Sequence, residues 1–175
     1  MIFEVQDVED FTAQSFVFEC ERYCVDAVGV QGGDDRSLGY TAEASDFAFE
    51  LIADVGIKQN GGNRNYGNNG RRQVSLIERE QLTEHAADLA KPYFSPGQVR
   101  ANIETEGIKL VELIGSNISI GKTKLQIIEA RTPCNKMDKI SPGLRKKMEN
   151  EKQGVLAEVI ESGIIQKGDK IIPLD

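Results

Sequence analysis

Val155-Leu156-Ala157-Glu158-Val159-Ile160 alternates inward and outward positions, and Glu161-Ser162-Gly163 then turns the chain into Ile164-Ile165. A second turn, Lys167-Gly168-Asp169-Lys170, leads to Ile171-Ile172-Pro173-Leu174. Short β-branched runs separated by Gly/Asp/Lys turns are the signature of small antiparallel strands. The same grammar extends upstream. Ile118 to Ile120 and Leu125 to Ala130 are strand-like and joined through Gly121-Lys122-Thr123-Lys124. Many short strands with turns roughly every 8 to 12 residues predict a mainly β fold, a closed or nearly closed β-barrel with a few short covering helices.

Two segments carry helical signals. Ser75-Leu76-Ile77-Glu78 has the form of a capping box, with Ser75 as N-cap and Glu78 three residues on. Leu82, Ala86 and Leu89 then recur at helical spacing until Pro92. His85 lies on this segment, and its plain reading is a surface or half-buried helix residue. Ser141-Pro142-Gly143 opens a short helix, with Leu144 and Met148 one turn apart. Toward the N-terminus, Phe11 to Phe18 and Val25 to Val30 read as strands, whereas Phe47 to Ile57 is apolar and fits either strand or helix. Asn60 to Gly70 is a Gly/Asn-rich surface loop; no Gly-Lys-Ser/Thr follows it, as phosphate binding by such a loop requires.

At 175 residues the chain has the size of one domain, and 39% hydrophobic against 28% charged residues permit a packed core. No run approaches the roughly 18 apolar residues of a membrane helix. The opening Met1 to Asp7 is acidic and lacks the basic and apolar regions of a secretion signal. The expectation is a cytoplasmic chain with no membrane partner. Net charge is −7, unevenly spread: residues 1–98 hold 8 Lys and Arg against 17 Asp and Glu, leaving 13 against 11 for 99–175. An acidic whole argues against nucleic acid, whose phosphates need a basic face. The three cysteines, Cys20, Cys24 and Cys134, are odd in number and irregularly spaced, which favours reduced thiols. With His85 as the only histidine, a His-rich metal site cannot be built, though Cys134 can still hold a soft metal brought by an organic cofactor.

Three segments stand in fixed order: Arg72-Gln73-Val74-Ser75-Leu76-Ile77, Arg100-Ala101-Asn102-Ile103-Glu104-Thr105-Glu106-Gly107-Ile108, and Arg131-Thr132-Pro133-Cys134. The tail Gly163-Ile164-Ile165-Gln166-Lys167-Gly168-Asp169 follows them. Together they resemble a MOSC domain, the molybdenum cofactor sulfurase C-terminal domain, over about residues 70 to 175. Upstream the match thins. The glycine-acid-arginine turn usual in the family is similar to Gly29-Val30-Gln31-Gly32-Gly33-Asp34-Asp35-Arg36 here, but 35 residues, Ser37 to Arg71, separate it from Arg72. That stretch, 37–71, reads as an insertion on the surface of a single domain spanning 1–175.

The resemblance implies a barrel of the pyruvate-kinase type that binds molybdenum cofactor, the metal held on molybdopterin. In family members that work as reductases of N-hydroxylated compounds, a cysteine matching Cys134 ligates molybdenum. Residues matching Arg100 and Asn102 lie in the cofactor pocket, with Thr105 and Arg131 as further candidates. Cys134 is thus both the candidate catalytic residue and the candidate metal ligand. Its chemistry fits, since a thiolate is a soft anionic ligand that Arg131 or Lys136 would favour if either came near. Arg100 can fork two donors onto a pterin phosphate, and Asn102 can read a pterin edge. The plain alternatives are a buried small hydrophobe for Cys134, a surface ion pair for Arg100, and a turn-capping amide for Asn102. Thr105 and Glu106 fit pocket lining and a turn before a strand equally well. No flavin, haem or iron–sulfur signature is visible, so a reductase of this kind needs a small-molecule substrate and a separate electron-donor protein. A desulfurase would be the partner if Cys134 instead carries sulfur or cofactor. The pyridoxal phosphate of the fused sulfurases is not expected in this chain alone, and a non-catalytic barrel is the third reading.

Overall fold

The computed structural model describes residues 24–28, 48–58 and 70–174. Ten strands are built from them: β1 (Cys24–Val28), β2 (Phe49–Ile52), β3 (Gly56–Ile57), β4 (Val74–Glu78), β5 (Ile103–Glu106), β6 (Asn117–Ile120), β7 (Thr123–Ala130), β8 (Val155–Glu161), β9 (Gly163–Ile165) and β10 (Ile171–Leu174). The helices are α1 (Arg79–Asp88), α2 (Lys136–Ile140) and α3 (Leu144–Lys147), with a 3-10 turn at Leu110–Leu113. A seven-stranded sheet runs β1-β5-β4-β8-β7-β6-β10, and a three-stranded sheet runs β3-β2-β9. The protein is therefore mainly β with few helices. Among the described residues each sheet keeps two ends, so the expected barrel closure is not seen in their hydrogen bonding.

Every neighbouring pair is antiparallel except β4 and β5. A parallel pair needs a crossover, because the chain must return to the starting end of the sheet. Here α1 and the loop to Ile103 supply it. Four successive residues of β4, Val74 to Ile77, are buried, which a half-solvated strand cannot be. Leu76 packs with Leu51, Ile103, Leu125, Val155 and Ile165 between the two sheets. Ile77 packs on the opposite face with Leu82, Ala86, Phe94, Met137, Leu144 and Met148. Alternate residues of a strand point to opposite faces, so β4 is the middle of three layers. Gly154, at φ +73°, lets β8 approach β4: a Cβ there would overlap the Leu76 carbonyl oxygen and fall 2.8 Å from the Ile77 Cα.

Several expectations change. Ser75 is not a helix cap but lies inside β4, and α1 starts after Glu78, whose side chain makes no cap bond. Helix packing selects Leu82 and Ala86, and the same stripe takes His85 to 2% exposure rather than to a surface position. Its Nε2 lies 2.7 Å from the Lys152 carbonyl oxygen. Within 37–71, the segment Phe49 to Ile57 is no surface insertion, since Leu51 and Ile57 belong to the inter-sheet core. The hairpin through Gly121-Lys122 and the helix after Ser141-Pro142-Gly143 form as expected, and α2 is an additional turn of helix. Val25–Val28 falls in β1; the predicted strand Phe11–Phe18, Cys20, Arg36 and most of the Gly/Asn-rich loop lie outside the described residues. No helix of the described residues is long and apolar enough to cross a membrane.

Candidate functional site

Two of the motif segments turn out to be hydrogen-bonded partners. Leu76, Ile77 and Glu78 of β4 run in parallel register with Ile103, Glu104 and Thr105 of β5. Just before that register begins, Ser75 and Asn102 close on each other. The Ser75 N–H and hydroxyl both donate to Asn102 Oδ1, at 2.9 and 2.8 Å. The Asn102 N–H donates in turn to the Ser75 carbonyl and hydroxyl oxygens, both at 3.0 Å. Asn102 is 6% exposed, so its amide oxygen is spent inside the protein. Thr105 is fully buried, and its hydroxyl reaches toward the Ile77 carbonyl at 3.4 Å.

Glu104 is the most deeply placed acid of this face. It has no solvent exposure, its Oε2 accepts from Arg79 Nη1 at 2.8 Å, and its Oε1 accepts from the Gly97 N–H at 2.6 Å. A buried carboxylate is tolerated only with such partners. Nearby, Glu78 accepts from the Leu110 N–H at 2.8 Å, and Glu80 accepts from the Gly107 N–H at 2.7 Å. Partial burial, reinforced by the charges of Glu80, Glu112 and Glu84, holds the Glu78 carboxyl above its ordinary range, against the lowering effect of the Leu110 N–H. The leading arginines are also engaged: Arg71 bonds Glu158 and Gln126 at 2.6 and 2.5 Å, and Arg72 pairs with Glu129. Gln73 accepts from the Val159 N–H at 3.0 Å.

The third segment is arranged differently. The Arg131 N–H donates to the Gly154 carbonyl at 2.9 Å, one rung beyond the Ala130–Val155 pair, so β7 hands the chain straight into Arg131-Thr132-Pro133-Cys134. Arg131 Nη2 donates to the Arg100 carbonyl at 3.0 Å. Cys134 follows as an exposed free thiol, with its carbonyl accepting from the Met137 N–H at 3.0 Å as α2 begins. Arg145 Nη1 bonds the neighbouring Asn135 at 2.8 Å, and Lys136, Lys139 and Lys146 are exposed on the same two helices. Arg100 sits half-exposed at φ +62°, and among the described residues its guanidinium has no hydrogen-bond or ion-pair partner.

The fold thus brings Arg131 directly against Arg100, with Cys134 three residues on, while Asn102 and Thr105 are turned to interior partners. Cys134 is exposed rather than a buried hydrophobe, and Arg100 is not in a surface ion pair among the described residues. Ser75, Arg79 and Glu104 were not singled out as candidates from sequence. Strand alternation signals that Glu104 opposes Ile103, but nothing in the chain order names Arg79 as its partner. Among the described residues no three His, Cys, Asp or Glu side chains group as a metal site.

Residues 46–172 match the MOSC domain family. A search of curated protein sequences gives no match. Among solved structures, YuaD from Bacillus subtilis shares 20% identity over 86% of this chain and 95% of its own, with a TM-score of 0.65. YiiM from Escherichia coli shares 20% identity over 88% of this chain and 70% of its own, also at 0.65. YiiM from Geobacillus stearothermophilus shares 15% identity over 86% and 75%, at 0.62. At such identities the likeness is one of fold. With residues 46–172, most of its length, matched by the family, the chain belongs to the MOSC domain family.

Proposed function

We propose that this protein binds molybdenum cofactor, with Cys134 Sγ as the protein ligand of the metal and Arg100 on the pterin phosphate, and that it reduces N-hydroxylated compounds. The observation that carries this reading is the exposure of the Cys134 thiol three residues beyond the strand end where the Arg131 N–H meets the Gly154 carbonyl. An accessible thiol suits the role, because the metal must reach the sulfur from solvent with its pterin attached. Pro133 fixes its own φ and restricts Thr132, limiting the conformations from which the thiol is presented. Arg100 offers planar paired donors suited to a phosphate. Lys136, Lys139 and Lys146 are exposed on the two helices that follow Cys134, positive charge that would favour an anionic ligand there. When bound, the cofactor supplies a two-electron centre, so that an N–OH group, two electrons and two protons give N–H and water. The electrons come from a separate redox protein, and a reducing compartment, the cytoplasm in this reading, keeps Cys134 as a thiol.

The same exposure favours a second reading, in which Cys134 carries a persulfide or hands on the cofactor. Cofactor-loaded protein supplied with reduced viologen separates the two. Conversion of an amidoxime to the amidine, lost in Cys134→Ser, supports the reductase. No turnover, together with a mass gain of one sulfur atom on Cys134 after incubation with a cysteine desulfurase, replaces it with the carrier. Neither turnover nor sulfur gain leaves a barrel without this chemistry.

A further inference from the structure

Arg100 has a backbone conformation that L side chains rarely adopt, and the structure grips it from two sides. It closes the turn Gly97-Gln98-Val99-Arg100, with its N–H donating to the Gly97 carbonyl at 2.9 Å, and both ends of the turn have positive φ, +72° at Gly97 and +62° at Arg100. Buried Val99 and Ala101 flank Arg100, leaving it as the one partly exposed side chain between two core residues. At the first end, the fully buried Glu104 accepts from the Gly97 N–H at 2.6 Å while its other oxygen is held by Arg79. At the second end, Arg131 Nη2 donates to the Arg100 carbonyl at 3.0 Å. A strained non-glycine residue persists only where its surroundings over-determine it, and such residues concentrate where a side chain must be aimed.

We infer that Glu104 and Arg131 are positioning residues, whose effect on cofactor binding is transmitted through the turn they clamp and through the Arg100 guanidinium. This rests on the proposed reading, in which Arg100 meets the pterin phosphate, and it gives Arg131 a different task from direct contact with the cofactor. Glu104 cannot touch a ligand, being sealed from solvent. Arg131 links the Arg100 turn to the strand end that carries Cys134, so one hydrogen bond sets the anion-binding group and the metal-binding thiol in a common frame.

The test is a double-mutant cycle on cofactor affinity. Wild type, Arg100→Ala, Arg131→Ala and the double variant are titrated with molybdenum cofactor released from a donor molybdoenzyme, and retained pterin is read as its fluorescent oxidation product. Arg100→Ala is expected to weaken binding about tenfold, the size of one lost charge-assisted hydrogen bond. Arg131→Ala weakens it comparably, and the double variant is no weaker than Arg100→Ala alone. Arg131→Lys, which keeps one donor, restores part of the loss. Glu104→Gln, which keeps the size of the side chain, weakens binding in the wild-type background and does nothing further in Arg100→Ala. Thermal unfolding is recorded alongside; a purely structural role lowers the midpoint without producing this non-additivity at temperatures where every variant is folded. Additive losses would show that Arg131 meets the cofactor itself and overturn the positioning role alone. Unchanged binding in both Arg131→Ala and Glu104→Gln, with binding lost in Arg100→Ala, also overturns it alone. Full binding by Arg100→Ala sinks the positioning role and the assignment of Arg100 to the phosphate together.

Discussion

The β4–β5 strand pair and the Arg131-Thr132-Pro133-Cys134 segment carry family motifs of equal prominence, yet they do opposite things. In the strand pair, Ser75, Asn102, Glu104 and Thr105 all spend side-chain atoms on interior bonds. In the other segment only Arg131 does so, and Cys134 stands exposed. A motif residue is therefore not automatically a site residue. The first region builds the frame, and the second leaves a free thiol exposed at its edge. Substitutions in the two regions should divide accordingly, with losses of stability in one and losses of chemistry in the other.

The sharpest break should come where the frame has no room. Gly154→Ala forces a Cβ onto the Leu76 carbonyl at positive φ, and it is expected to lower unfolding free energy by about 4 kcal/mol, read from the urea midpoint. Glu104→Ala leaves Arg79 and the Gly97 N–H without their carboxylate and should cost about 3 kcal/mol in the same assay. Asn102→Ala strands the Ser75 N–H and hydroxyl and should cost about 2 kcal/mol. A loss near zero in either of the last two would remove that residue from the frame.

Glu78 sharpens the comparison by pH. Its carboxyl is held above the ordinary value of 4.5, chiefly by burial, so the fold favours its protonated form. The stability it contributes is present below the unfolded value and lost as pH rises through the higher folded value. Glu78→Gln should therefore be more stable than wild type at neutral pH, and the two unfolding midpoints should converge below about pH 4.5. A gap that is constant across pH would contradict this.

Much of the fold could be read from the chain because its strands are short, β-branched and punctuated. The β6–β7 hairpin and the run from Val155 to Leu174 announce themselves by turn residues alone. Ser75 shows where local reading fails. The pattern Ser-x-x-Glu is present, but Val74, Ser75, Leu76 and Ile77 are covered on both faces, and a doubly buried strand shows no alternation to outweigh a capping motif. Phe47 to Ile57 is equally ambiguous in sequence, and the core positions of Leu51 and Ile57 go with strands at Phe49–Ile52 and Gly56–Ile57. For the candidate site, the order of the motif segments nominates Cys134 and Arg100, and the fold leaves the Cys134 thiol exposed and Arg100 half-exposed. The interior duties of Asn102, Glu104 and Thr105 could not, since a hydrogen-bond partner 27 residues away, as Ser75 is from Asn102, leaves no local trace.

Cys134→Ser completes the contrast, as the smallest expected effect on the frame and a complete one on the chemistry. An exposed substitution of this kind should shift stability by less than about 0.5 kcal/mol. The direct measurement is molybdenum per chain in wild type and Cys134→Ser, both made in a host that synthesises the cofactor. The account predicts near-stoichiometric metal in the first and almost none in a folded second. Equal metal in both would contradict it.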